Sequence, residues 1–133
     1  MEEVLEFLQK ADVFYLATAE GDQPRVRPMG FVMKYKGKLY FSTNNTKEMY
    51  KQMLANPKVE ICAMHSGDQI LRLHGKIVYD AEYETKVKAL EESELLARIY
   101  KADDGRFTLF YLESGKAVIS TYRDPNSAKE YKL

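Results

Sequence analysis

Val4, Leu5, Leu8 and Ala11 recur at helical spacing among Glu and Lys residues, which predicts a short amphipathic helix ending near Asp12. The pattern then changes period. Val13 to Ala19 is rich in β-branched and aromatic residues, Glu20-Gly21-Asp22-Gln23-Pro24 is a turn cluster, and Arg25 to Lys34 reads as the returning strand. Tyr35-Lys36-Gly37-Lys38 predicts a second turn and Leu39 to Thr43 a third strand, so the chain opens as an antiparallel meander. Pro28 has no N–H for a neighbouring strand, which places its own strand at an edge or a bulge. From Thr46 to Ala55, Met49, Tyr50, Met53 and Leu54 share a helical face, with Asn45 and Glu48 spaced as a capping box and Asn56-Pro57 as the stop. Val59 to Met64 and Gln69 to Tyr79 predict two further strands around a His65–Asp68 turn, with Gly75 marking a bulge. Glu82 to about Tyr100 reads as one long helix. Phe107 to Leu112 and Lys116 to Tyr122 read as a closing hairpin turning at Glu113-Ser114-Gly115, and the polar tail from Arg123 as a segment lying over a surface or a partner. The sum is a mainly β fold: six or seven antiparallel strands in a small barrel, with two or three helices packed outside.

Composition narrows the class. The 133 residues suit a single domain spanning 1–133, large enough to bury a core without staples. Lys and Arg together number 20, as do Asp and Glu, so no global field draws nucleic acid or an anionic membrane, and any basic function is local. Arg25, Arg27, Lys34, Lys36 and Lys38 alternate with Phe31, Tyr35 and Tyr40, a pattern that suits single-stranded nucleic acid. The zero net charge weighs against it, and no nucleic-acid partner is expected. No apolar run approaches the roughly 20 residues of a bilayer span. A lone cysteine and an N-terminus without a signal-peptide pattern give a cytoplasmic expectation. Cys62 reads as a small buried hydrophobe. His65 and His74 sit on different elements without partners at ligand spacing, so no metal site is expected.

The candidate chemistry lies where the third strand runs through Ser42-Thr43-Asn44-Asn45-Thr46-Lys47 into a helix. Such a junction aims N–H groups and hydroxyls at one point, where the helix dipole favours negative charge, and its size suits a phosphate. Arg27 and Lys47 supply cations, the first in a bidentate fork and the second as a point charge. The residues leave alternatives open: Arg27 as a surface residue paired with a carboxylate, Lys47 as a solvated first-turn lysine, Thr43 and Asn44 as turn and cap formers.

Arg27-Pro28-Met29, Tyr40 through Lys47, the helix ending in Asn56-Pro57-Lys58-Val59, and Arg72-Leu73-His74-Gly75-Lys76 occur in an order that resembles the pyridoxamine 5'-phosphate oxidase family of FMN-binding split barrels. The resemblance runs from about Val4 to Tyr79. It implies a split β-barrel homodimer holding FMN at the subunit interface. It also implies site roles. Arg27 reaches the FMN phosphate, Pro28 and Met29 present backbone to the ring edge, Ser42, Thr43 and Asn44 line the ribityl and phosphate path, and Thr46 and Lys47 complete the anion site. The oxidases proper read Ser-Arg-Lys in this loop, which sets their lysine at Met49 here, and they carry a Trp-containing C-terminal segment that this chain lacks. A small member other than the vitamin B6 oxidase is therefore implied. The expected function is a flavoprotein oxidoreductase passing electrons from NAD(P)H to a small acceptor, with no catalytic side chain assigned. The alternative is a non-catalytic flavin- or haem-binding or sensing protein, and deazaflavin is a further cofactor within the superfamily.

Overall fold

A computed structural model describes all 133 residues as four helices and an antiparallel sheet of eight strands. Helix α1 (Glu2–Ala11) leads into β1 (Phe14–Glu20) and β2 (Gln23–Met29), then β3 (Met33–Tyr35) and β4 (Lys38–Asn44). Helix α2 (Glu48–Ala55) precedes β5 (Lys58–His65) and β6 (Gln69–Asp80), and α3 (Tyr83–Glu92) and α4 (Glu94–Ile99) precede β7 (Phe107–Thr121) and β8 (Asp124–Lys132). The strand order is β2-β1-β5-β6-β7-β4-β3, with β8 added to the far half of β7. The sheet does not close: β2 and β3 are its two ends, although only Gly30, Phe31 and Val32 separate them in sequence. A mainly β split barrel is what the sequence pattern and resemblance implied. Pro28 lies on the edge strand β2, where its missing N–H costs no ladder bond.

Two cores explain the burial pattern. The larger fills the curled sheet, where Leu16, Phe41, Ile61, Leu71, Leu73 and Phe110 meet Val4, Phe7 and Leu8 of α1 and Met49 and Met53 of α2. The smaller lies on the other side of β4 and β7, where Tyr40, Phe107 and Leu109 pack against Ala89, Leu96 and Tyr100. Strands β4 and β7 are thus covered on both faces at their paired ends, which is why Leu39-Tyr40-Phe41 and Phe107-Thr108-Leu109-Phe110 are unbroken buried runs.

Several sequence expectations need correction. The returning strand predicted over Arg25–Lys34 is two strands, because residues 30–32 carry the chain from one sheet edge to the other. The predicted helix over 82–100 breaks at Ser93, whose backbone is extended and whose Oγ accepts the Leu96 N–H at 3.2 Å to cap a new helix. No hairpin forms at Glu113–Gly115: β7 runs through, and Ser114 adopts a positive φ of 55° opposite the β6 bulge. At that crossing a Cβ on Gly75 would lie 3.1 Å from the Gly115 Cα, so two glycines let the strands touch backbone to backbone. The reversal comes later, at Tyr122-Arg123, and the polar tail is strand β8. These shifts account for eight strands and four helices instead of six or seven and two or three. The capping box is not made, since α2 starts at Glu48 with Lys47 as an N-cap lacking a side-chain bond, and Asn45 Nδ2 donates instead to the Gly105 carbonyl at 2.9 Å. Leu54 is exposed and Gln52 takes its place on the buried face. Cys62 is exposed too, because strand alternation turns Ile61 and Ala63 inward. No helix is long and apolar enough to cross a membrane.

Candidate functional site

The split between the sheet edges opens as a cleft of about 400 Å3, within the size range of small-molecule sites. Pro28, Met29, Gly30 and Phe31 form one wall as the chain leaves β2. Ser42 of β4 and Lys47 at the start of α2 form the floor, and Leu95 and Leu96 of α4 face them. Asp12 and Val13, between α1 and β1, complete the rim. The lining combines the apolar side chains of Val13, Met29, Phe31, Leu95 and Leu96 with the polar Asp12, Ser42, Lys47 and Ser93. Lys47 has no carboxylate within salt-bridge reach, Asp12 included, so its ammonium stands uncompensated in the cleft.

Of the eight residues singled out in the sequence, Pro28, Met29, Ser42 and Lys47 line this cleft together. The other four do not. Thr43 alternates to the opposite face of β4 from Ser42, with Leu39 and Phe41, and its buried Oγ1 has no hydrogen-bond partner. Asn44 is buried and committed: its Nδ2 donates to the Tyr100 hydroxyl at 2.7 Å, and its Oδ1 accepts the Thr46 N–H at 3.0 Å and the Thr46 hydroxyl at 2.5 Å. Asn44 thereby shapes the loop through Thr46 and ties it to Tyr100 at the end of α4, which is the turn-forming role its residue type allows.

Arg27 points from β2 toward α2. Its Nη1 donates to the Leu16 carbonyl at 3.2 Å and the Thr18 hydroxyl at 2.9 Å, and its Nη2 to Gln52 Oε1 at 2.6 Å. Every acceptor is neutral, so the guanidinium is held without a counter-ion. Partial burial lowers its pKa from the ordinary value, yet an arginine stays charged throughout the physiological range. The surface ion pair considered for Arg27 is absent; Glu20, the nearby acid, binds Arg25 instead at 2.9 Å.

The family model for pyridoxamine 5'-phosphate oxidase matches residues 1–120. The chain belongs to that family. Among solved structures, this member is 46% identical to a NimC/NimA family protein from Clostridium acetobutylicum, with a TM-score of 0.94 and coverage of 100% of this chain and 93% of that one. Two more distant structures share the family fold. The general stress protein 26 of Bacillus anthracis str. Sterne is 16% identical, with a TM-score of 0.79 and coverage of 99% and 97%. A pyridoxamine 5'-phosphate oxidase-related, FMN binding protein from Nostoc punctiforme PCC 73102 is 14% identical, with a TM-score of 0.69 and coverage of 99% and 93%. No curated protein matches. Strand β8 of this family member lies beyond the matched residues.

The donor set suits a flat ring bearing a phosphate. Met29, Phe31, Leu95 and Leu96 offer apolar surface that could take the ring, and Lys47 in the cleft and Arg27 near it are cations with no carboxylate partner. Sequence reasoning missed Leu95, Leu96, Val13, Thr18 and Gln52. Gln52 left a signal, a polar residue three on from Met49 and one before Met53, on the face that must be buried.

Proposed function

We propose that this family member binds FMN in the cleft at the barrel split and works as a flavoprotein oxidoreductase, passing electrons from NAD(P)H to a small acceptor. The observation that carries the reading is the juxtaposition of an apolar-walled cleft with two uncompensated cations, Lys47 and Arg27, on adjoining elements. Bound FMN would supply hydride chemistry of its own, which leaves the protein to bind, orient and shield it. Met29, Phe31 and Leu96 would hold the ring away from water, Ser42 would offer a hydroxyl, and Lys47 and Arg27 would neutralise the phosphate. Pro28 and Gly30 would present backbone to the ring edge. Neither histidine lines the cleft, so haem has no imidazole ligand there.

The functional unit in this reading is a homodimer. The outer face of β2, β1 and β5 exposes Val26 (67%), Tyr15 (49%) and Met64 (54%), and Val13 and Leu95 continue it to the cleft rim. A two-fold copy seated on that face would cover both the patch and the open side of the cleft.

The test is the visible spectrum of the protein after FMN is added and the excess removed by gel filtration. Retained flavin bands, reduced at least tenfold in occupancy by Lys47→Ala or Arg27→Ala, would support the site, since each substitution deletes a charge-assisted contact. NADPH oxidation by the loaded protein then tests the reaction. A protein that retains no flavin defeats the proposal.

A further inference from the structure

Gln52 and Thr18 form a closed network with Arg27. The Thr18 hydroxyl donates to Gln52 Oε1 at 2.6 Å while accepting from Arg27 Nη1 at 2.9 Å, and Gln52 Oε1 also accepts from Arg27 Nη2 at 2.6 Å. Gln52 and Thr18 are both buried, on α2 and β1 respectively, so neither has freedom to turn away. Because a guanidinium only donates, the Gln52 atom facing it is the oxygen. Three of the five guanidinium N–H groups are thereby engaged, which leaves the Nε–H and one Nη2–H without a protein acceptor.

The identity of the acceptors is the informative part. A glutamate has the shape of glutamine and would give a half-buried arginine the partner that burial demands. Here the acceptors are an amide, a hydroxyl and a carbonyl. The two carboxylates bordering the adjoining groove are turned to other cations: Glu20 to Arg25 at 2.9 Å and Glu48 to Lys51 at 3.5 Å. The arrangement fixes the direction of Arg27 and leaves its full charge available.

We propose that Gln52, backed by Thr18, is a positioning residue that presents Arg27 to the phosphate of the bound ligand while keeping its charge uncompensated. The proposal rests on the reading of Arg27 as a phosphate contact. It assigns Gln52 a task distinct from packing: a selectivity for phosphorylated over unphosphorylated flavin.

The experiment compares FMN with riboflavin, which lacks the phosphate, by fluorescence titration of the purified protein and of Arg27→Ala, Gln52→Glu, Thr18→Val and Thr18→Ser variants. Gln52→Glu keeps the shape and completes an ion pair, so its melting temperature is expected to hold or rise. Its FMN affinity is expected to fall on the order of tenfold or more, with riboflavin affinity unchanged, as for loss of a hydrogen bond to a charged group. Thr18→Val is expected to lose part of the same selectivity and Thr18→Ser to retain it. Equal weakening of FMN and riboflavin in Gln52→Glu, or no change in either, overturns the positioning role if Arg27→Ala still loses FMN selectively. An Arg27→Ala variant with unchanged FMN selectivity overturns the phosphate contact itself, and the role of Gln52 with it.

Discussion

Thr43 shows how one residue's place in a strand decides its task. Its motif position points to a ligand path, but the period of two sends its hydroxyl into the core, where it has no partner. Thr43→Val should therefore leave FMN affinity unchanged and raise the unfolding free energy by about 1 kcal/mol in chemical denaturation, because an unsatisfied buried hydroxyl is removed. A loss of FMN binding in that variant would contradict the assignment. Ser42, one position earlier, faces the cleft. The motif was legible in sequence down to these residue types; which of two neighbours faces the cleft depended on the strand's phase relative to the core. Arg27 and Lys47 stood out as cations, but the neutrality of Arg27's acceptors belongs to contacts with Leu16, Thr18 and Gln52, up to 25 residues away in sequence.

Among the elements, α3 is anchored through Asp80. Burial alone would raise this carboxyl's pKa, but the Glu82 N–H and the hydroxyls of Tyr40 and Thr85 outweigh it and hold the pKa below its ordinary value. A carboxylate that binds its proton less readily when folded stabilises fully above its unfolded pKa and loses that contribution as pH falls through the folded one. Asp80→Asn should thus show a smaller drop in denaturation midpoint between about pH 7 and pH 3 than the parent protein. The Tyr40 hydroxyl, raised by burial and then by Asp80, stays protonated and donating across that range. The bulge makes a second element-level prediction: Gly75→Ala pushes a Cβ to 3.1 Å from the Gly115 Cα and should cost about 1–3 kcal/mol in thermal or chemical unfolding. The bulge at Gly75 was legible because glycine in a strand marks close backbone approach. Its counterpart was misread as a turn, because Ser114-Gly115 carries turn residues for the same crossing and only the pairing with β6 distinguishes the two uses. The helix break at Ser93 is similar, since the apolar spacing continues past a cap that becomes visible only as a bond to Leu96.

At the scale of the molecule, the exposed face of β2, β1 and β5 predicts that the protein runs as a dimer in light scattering, and that Val26→Lys halves the mass and weakens FMN retention together. A mass that halves with flavin binding intact would separate assembly from the site. The architecture of strands and flanking helices was within reach of the hydrophobic pattern and the family resemblance. The order β2-β1-β5-β6-β7-β4-β3 was not, because it is set by pairings between strands as distant as β4 and β7. That order gives residues 30–32 a mechanical meaning. They are a fixed-length tether between the two free edges of the sheet, and its contour from Met29 to Met33 caps the distance between those edges at about 14 Å. The strap therefore sets the spacing of the edges at this end of the split. Inserting glycines after Gly30 is expected to change the aperture of the cleft without altering a single side chain that lines it.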